Sequence, residues 1–150
     1  MNTDRIEKKI TLRAPISKVW RAISDSRQFG EWFQVKLEGT FAVGQWTKGT
    51  LTFPGHEGKP MAIQIVTIQP ESYFAYRWHP NAHDPAVDYS PEPTTLVEFH
   101  LEEADGVTLL TVVESGFDQL PDARRASAFK SNDGGWAFQI LAIQRYVESR

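Results

Sequence analysis

The side chains in this chain that best suit acid–base chemistry or metal binding are four histidines, His56, His79, His83 and His100. His79 and His83 lie four residues apart and Asp84 follows directly, and imidazole and carboxylate are suitable zinc ligands. The pair lies beside Pro80 in a stretch without helical periodicity, so no regular element places both rings on one face. We therefore predict a solvated loop here and no metal site, with His79 as a candidate acid or base at a pocket mouth.

Glu114 is the acidic residue with the most unusual sequence setting. It follows the apolar run 109–113 and precedes Gly116, and a carboxylate perturbed by burial sometimes marks a functional site. It could pair with Arg77, cap the helical segment that follows or make a satisfied structural contact, and we favour the structural contact. The sequence has no serine in a nucleophile elbow, no glycine-rich phosphate loop and no carboxylate pair in a known motif. We predict no catalytic residue and no cofactor.

Aromatic residues are numerous, with five Trp, nine Phe and four Tyr. Side chains of this size either fill a wide core or line a hollow, and buried Trp and Tyr need partners for their polar atoms. From strand alternation and helical spacing, together with Glu114, we predict a ligand-binding set: Trp32, Phe33, Trp46, Phe53, Tyr76, Trp78, Phe99, Trp136 and Ile140. The alternative is that these rings only fill the core, which is the commoner situation for any single aromatic residue.

These residues lie on short elements that the sequence pattern delimits. A period of two through Ile6, Lys8, Ile10 and Leu12 predicts a strand, which Ala14-Pro15 ends. Two short helices should follow, the second beginning after Asp25. Turn residues then separate further strands, predicted at 35–38, 41–43, 46–53, 61–68, 73–79, 95–103 and 107–115, with an Asp-Gly hairpin turn before the last. Residues 80–93 contain four prolines and predict a long loop.

A long helix is predicted over residues 120–150. Its apolar stripe has the spacing of one helical face and consists of Ala126, Phe129, Trp136, Ile140, Ile143 and Val147. Gly134 and Gly135 interrupt good helix formers at a cost of about 2 kcal/mol relative to alanine. They permit a kink, or they leave space for a guest molecule beside Trp136. A stripe this wide needs a sheet to pack on.

Because the strands are grouped and do not alternate with helices, we predict an α+β fold. In this fold a curved antiparallel sheet of about six or seven strands wraps around the long helix. The length fits a single domain, residues 1–150. A net charge of −3 and the absence of a Lys/Arg cluster argue against nucleic-acid binding. With neither a signal-peptide core nor an apolar run long enough for a membrane span, we expect a cytoplasmic protein.

The element order and five sequence segments resemble the START-like (SRPBCC) superfamily, typified by the major birch pollen allergen. The segments are Ile10-Thr11-Leu12-Arg13-Ala14-Pro15 with Val19-Trp20, Trp32-Phe33, Val43-Gly44-Gln45-Trp46, Val113-Glu114-Ser115-Gly116-Phe117, and Asn132 through Gly135-Trp136. Within that superfamily the chain is most similar to the bacterial branch named after the activator of the heat-shock protein ninety ATPase, matching its C-terminal domain. The resemblance implies the helix-grip fold, in which the sheet holds the terminal helix.

The superfamily includes lipid carriers, hormone-binding proteins, polyketide cyclases and chaperone cofactors, so the resemblance alone does not select a function. We expect non-catalytic binding of a small apolar or aromatic molecule, such as a lipid, between sheet and helix. One alternative is a stress-related interaction module whose partner is a chaperone. A further alternative is an enzyme of cyclase or hydrolase type that uses Tyr76, His79 or Glu114 inside the cavity.

Overall fold

The alternating apolar residues of the sequence form seven strands in the part of the chain that the structure, a computed structural model, describes: residues 4–82, 84 and 86–149. The strands are β1 (Arg5–Leu12), β2 (Val35–Leu37), β3 (Trp46–Leu51), β4 (Pro60–Gln69), β5 (Tyr73–Trp78), β6 (Thr95–Ala104) and β7 (Val107–Ser115). Helices α1 (Ile16–Ser24) and α2 (Ser26–Phe33) separate β1 from β2. A short 3-10 turn (Phe117–Gln119) and the long helix α3 (Asp122–Glu148) follow β7.

All seven strands belong to one antiparallel sheet in the order β1-β7-β6-β5-β4-β3-β2. Strands β2 to β7 each pair with their neighbour in the chain, and β1 pairs with β7. The curved sheet packs on α3 through apolar residues, of which Trp136, Ile143 and Val147 are buried on the helix. The predicted α+β class, the two short helices and the sheet around a long helix are confirmed.

The hairpin between β6 and β7 forms at the predicted Asp-Gly turn. Ala104 pairs with Val107 across the turn, and Asp105 and Gly106 both have positive φ, 52° and 81°. Two positive φ values characterise a type I′ turn, whose twist matches that of antiparallel strands. This local signal therefore set the register of the two longest neighbouring strands.

The two short helices are defined by their end residues. The Asp25 carboxylate accepts a hydrogen bond from the backbone N–H of Gln28 at 3.2 Å, which caps the start of α2 as predicted. At Gly30 an added Cβ would lie 2.4 Å from the carbonyl oxygen of Val35, so the close approach of β2 to α2 requires glycine there. Phe29 and Trp32 are buried and bring α2 against the sheet.

Two details of the predicted elements are wrong. Residues 41–43 do not form a strand, because Gly39 and Gly44 turn the backbone with φ of 91° and 84°. An apolar residue occurs at position 41 for another reason: the ring of Phe41 packs on Phe29 at a centroid distance of 5.7 Å. In α3, Ala126 is exposed and Ala128 is buried. The first turns of the helix contact the 3-10 turn, where Phe129 meets Phe117 edge-to-face at 5.2 Å.

Helix α3 continues through Gly134 and Gly135. A Cβ added at either glycine would meet no atom within 4 Å, so neither position is glycine because of a close contact.

None of the helices within the described residues combines the length and the apolarity that a membrane crossing would need.

Candidate functional site

A cleft of about 850 Å³ opens between the end of the sheet that carries β3 and β4, the middle of α3 and the segment after β5. This volume lies in the range of small-molecule sites. The lining is mainly apolar and includes seven aromatic side chains from the described residues: Phe33, Trp46, Phe53, Trp78, Tyr89, Trp136 and Phe138. A row of polar side chains from α3, Ser131, Asn132 and Gln139, completes one wall.

Three of the rings form the inner wall of the cleft. The centroids of Trp78 and Trp136 are 6.0 Å apart with their planes inclined by 34°. Phe33 lies 6.1 Å from Trp78 and 6.5 Å from Trp136, with edge-to-face geometry in both pairs. Trp136 is only 2% exposed, so this wall is also the surface of the hydrophobic core.

The outer rings are open to solvent. Trp46 is 43% exposed and stacks on His79 with a centroid distance of 6.1 Å and an angle of 3°. Phe138 is 44% exposed and meets Phe53 edge-to-face at 5.3 Å. The cleft therefore offers flat apolar surfaces at its mouth and at its inner wall.

Glu114 lies behind the inner wall and is completely buried. It pairs with Ile6 on β1 and Val97 on β6, both buried, so the strand alternation that makes β7 apolar also turns this carboxylate inward. Its oxygens accept hydrogen bonds from four side chains: Trp78 Nε1 (2.7 Å), Thr95 Oγ1 (2.5 Å), Asn132 Nδ2 (2.9 Å) and Trp136 Nε1 (2.8 Å). The carboxylate thus fixes the rings of two cleft tryptophans.

Burial raises the pKa of Glu114, and the hydrogen bonds from Thr95, Trp78, Trp136 and Asn132 act in the opposite direction. Arg77 is not its partner, because Arg77 is exposed and its guanidinium lies 3.5 Å from Thr94 Oγ1. Glu114 does not cap the next helical segment either. Asp4 binds those backbone amides, including that of Asp118 at 3.0 Å. Of the three interpretations of Glu114, the geometry supports the structural contact.

Five of the predicted ligand-binding residues line the cleft: Phe33, Trp46, Phe53, Trp78 and Trp136. The other five do not. Tyr76 and Phe99 are fully buried, Trp32 donates to the carbonyl of Ala22 at 2.8 Å inside the core, and Ile140 packs against the core. Glu114, the fifth, reaches the cleft only through the residues that it binds. Strand alternation identified inward-facing rings but could not separate the cleft wall from the core behind it.

The segment that follows β5 forms another wall of the cleft. His79 Nε2 lies 3.1 Å from the carbonyl oxygen of Glu92. Arg124 of α3 holds the same segment, with its guanidinium 2.8 Å from the carboxylate of Glu92 and 3.0 Å from the Pro80 carbonyl oxygen. It also lies 5.0 Å from the ring centroid of Tyr89. Arg124 therefore ties this wall to the helix.

The metal-site alternative and the enzyme alternative both depended on residues near this segment. His83 lies outside the described residues, and among those described no group of three or more His, Cys, Asp and Glu side chains could hold a metal ion. Of the three candidate catalytic groups, only His79 lines the cleft, while Tyr76 and Glu114 lie behind the wall. The three do not converge in one accessible site.

A family model described as Activator of Hsp90 ATPase homolog 1-like protein matches residues 13–148. The chain belongs to this family. The cleft tryptophans, Glu114 and most of the sheet therefore fall within the part of the sequence that defines the activator-like family. No curated protein matches the sequence significantly.

Solved structures share the activator-like fold. Protein MLL2253 from Mesorhizobium loti has a TM-score of 0.75 and 23% identity, with 97% of each chain covered. The Aha1 dimer from Colwellia psychrerythraea has a TM-score of 0.71 and 17% identity, with 96% of each chain covered. DynU16, a protein in the dynemicin biosynthetic locus, has a TM-score of 0.72 and 23% identity, covering 97% of this chain and 47% of its own. At these identities the likeness establishes the fold alone.

Sequence reasoning missed several cleft residues of this activator-like protein. Asn132 and Gln139 lie four residues before and three residues after Trp136, so helical spacing places them on the same face, and this signal could have found them. Phe138 lies off the apolar stripe, and Tyr89 lies in the loop. Nothing in the local pattern indicated either of these two.

Proposed function

We propose that this protein binds a small hydrophobic or aromatic molecule, without covalent chemistry, in the cleft between the sheet and α3. The observation that carries the proposal is the open cleft of about 850 Å³, which is mainly apolar and is lined by seven aromatic side chains of the described residues. From the predicted set, Phe33, Trp46, Phe53, Trp78 and Trp136 would contact the ligand. Glu114 would act through the rings that it holds.

The exposure of the outer rings supports this proposal. Trp46 and Phe138 leave more than two-fifths of their surface in water, and burying apolar surface is favourable by about 25 cal/mol per Å². A flat apolar guest that covers both rings would gain this energy. It would do so without large rearrangement, because Phe53 and His79 already hold the two rings edge-to-face and face-to-face.

A titration with the neutral dye Nile red tests the proposal. We expect a saturable rise in fluorescence with one site per chain. Phe138→Ala should weaken binding, because the substitution removes a ring from the cleft mouth. Leu141→Ala is the matched control, since Leu141 is also on α3, is 50% exposed and does not line the cleft. Equal weakening by both substitutions, or no saturable binding by the parent protein, would count against the cleft as a ligand site.

The family match favours a second candidate function, contact with a chaperone. The family is named after an activator of the Hsp90 ATPase, and this function presupposes the cytoplasmic location that the sequence predicts. We would measure the ATPase rate of an Hsp90-class chaperone with and without the protein. A concentration-dependent increase would support the second function, whereas an unchanged rate together with Nile red binding would favour the first.

A further inference from the structure

The polar groups at the inner end of the cleft share one property: each directs an N–H donor into the protein. Trp78 and Trp136 each have one donor, and both donate to Glu114. Asn132 also directs its amide nitrogen to Glu114, at 2.9 and 3.1 Å from the two oxygens. The amide nitrogen of Gln139 lies 3.5 Å from the carbonyl oxygen of Phe33.

Acceptor oxygens remain for a guest. Gln139 Oε1 is buried and has no hydrogen-bond partner within the described part of the chain, and such an unpaired acceptor is costly. Asn132 Oδ1 likewise receives no hydrogen bond from any described residue. Exchanging the oxygen and nitrogen of either amide would face an oxygen towards the Glu114 carboxylate or the Phe33 carbonyl, so the contacts fix both orientations. A guest that donates a hydrogen bond at this end would therefore satisfy the unpaired oxygen of Gln139.

The negative charge of Glu114, behind the inner wall of the cleft, also favours a ligand that donates hydrogen bonds and carries a positive charge. Glu114 is buried, and no lysine or arginine among the described residues forms an ion pair with it. Its neighbours on β5, β6 and α3 are the uncharged residues Trp78, Thr95, Asn132 and Trp136. Trp78 and Trp136 line the cleft and donate to Glu114 behind them, and an indole ring attracts cations over its π-face. A carboxylate in a medium of low dielectric adds to that attraction.

Resting on the proposed function, we infer that the preferred ligand is an aromatic amine in its protonated form. Its ring lies against Phe33, Trp78 and Trp136, and its ammonium group donates a hydrogen bond to Gln139 Oε1, the unpaired acceptor. Because the four side chains that contact Glu114 all donate hydrogen bonds to it, the site fits the carboxylate form, and the ammonium charge compensates that charge. The mouth of the cleft does not oppose this choice, because its exposed side chains include both Lys48 and Glu38 and are screened by solvent.

Three probes that share one ring test the charge preference: naphthylmethylamine, naphthylmethanol and naphthylacetate, each titrated calorimetrically at neutral pH. We expect the amine to bind about tenfold more tightly than the alcohol, which is the scale of one hydrogen bond to a charged group. The acetate should bind most weakly. If the alcohol or the acetate equals the amine while Nile red still binds, the charge inference is wrong and the proposed function stands. If Nile red and all three probes fail to bind, the proposed function itself is wrong.

Two substitutions test whether the preference for the amine over the alcohol arises at the inner end of the cleft. Gln139→Met removes the free acceptor but keeps the length of the side chain, so the ratio of amine to alcohol affinity should fall several-fold. Gln144→Met is the matched control, on the same helix but outside the cleft, and should keep the parental ratio. Glu114→Gln should lower the affinity for the amine more than that for the alcohol. An unchanged ratio in the folded Gln139→Met protein would overturn the inference.

Discussion

Trp136 belongs to the core and to the cleft at the same time. It is 2% exposed, packs on Phe99 at 5.8 Å and still lines the cleft. We expect Trp136→Ala to lower the free energy of unfolding by about 3–5 kcal/mol, the usual cost of removing a buried aromatic side chain. Trp46→Ala should cost less than about 1 kcal/mol, because Trp46 is largely exposed. Urea denaturation of both variants measures the difference, and similar losses would mean that Trp136 is not a core residue.

Glu114 should give the folded protein a pH-dependent stability. Because burial raises its pKa, the folded chain keeps the proton to a higher pH than the unfolded chain. Its contribution is therefore greatest below the unfolded-state pKa and is lost as the pH rises through the folded-state pKa. The free energy of unfolding of the parent relative to Glu114→Gln should fall across this interval in denaturation at several pH values. A carbon-13 NMR titration that places the Glu114 carboxyl at or below its ordinary pKa would contradict this expectation.

Tyr73 provides a second titration, on a part of the sheet away from the cleft. Partial burial, and then the hydrogen bond from its hydroxyl to Glu98 at 2.5 Å, raise its pKa to about 12. We expect Glu98→Gln to lower the pKa of Tyr73, because the substitution removes the carboxylate charge that opposes the phenolate. Ultraviolet absorbance of tyrosinate measures the shift, with Tyr73→Phe assigning the signal. An unchanged titration in Glu98→Gln would leave burial as the only cause.

At the scale of elements, substituting the two glycines of α3 one at a time distinguishes an effect on helix stability from an effect on access to the cleft. A methyl group added at either position would meet no neighbouring atom, so replacing either glycine with alanine should stabilise the helix by about 0.5–1 kcal/mol. Only Gly135 lines the cleft. Gly135→Ala should therefore also weaken Nile red binding, whereas Gly134→Ala should leave binding unchanged. Thermal denaturation and dye titration of the pair measure both effects, and equal dye affinities would show that Gly135 does not leave space for the ligand.

Elements were predictable where the signal is local. The Asp105-Gly106 turn, the alternation along β7 and the cap at Asp25 each depend on a few neighbouring residues, and each formed as expected. The strand predicted at residues 41–43 did not form, because the apolar pattern there has no local cause. Their apolar character comes from the contact of Phe41 with Phe29 and Phe74, which are distant in the sequence.

At the scale of the whole molecule, a ligand held between the sheet and α3 should stabilise the entire fold. Since the unfolded chain has no cleft, a ligand present at 100 times its dissociation constant should add about 2.7 kcal/mol to the free energy of unfolding. Nile red should accordingly raise the midpoint of thermal unfolding in the parent protein. The rise should be smaller in Phe138→Ala at the same dye concentration. A midpoint that does not respond to the dye would mean that it binds the folded and unfolded chains alike.

The candidate site was less predictable than the fold because it depends on contacts between distant parts of the chain. Glu114 was recognisable as unusual from its apolar run, but its donors come from β5, β6 and α3. Arg124 binds Glu92, 32 residues away. Periodicity indicates which way a side chain faces but not which other element it meets there, so the inner wall required the assembled sheet and helix.

The hydrogen bonds of Glu114 also bear on how fast the protein unfolds. Its four donors are 18, 19, 22 and 36 residues away in sequence. Thr95 belongs to the β6–β7 hairpin itself, but the other three donors reach the carboxylate only after β5 and α3 have assembled. A transition state built around the local β6–β7 hairpin gains little from this cluster. Disrupting it should therefore accelerate unfolding while the refolding rate stays nearly constant, so the buried carboxylate would determine the lifetime of the native state more than its formation.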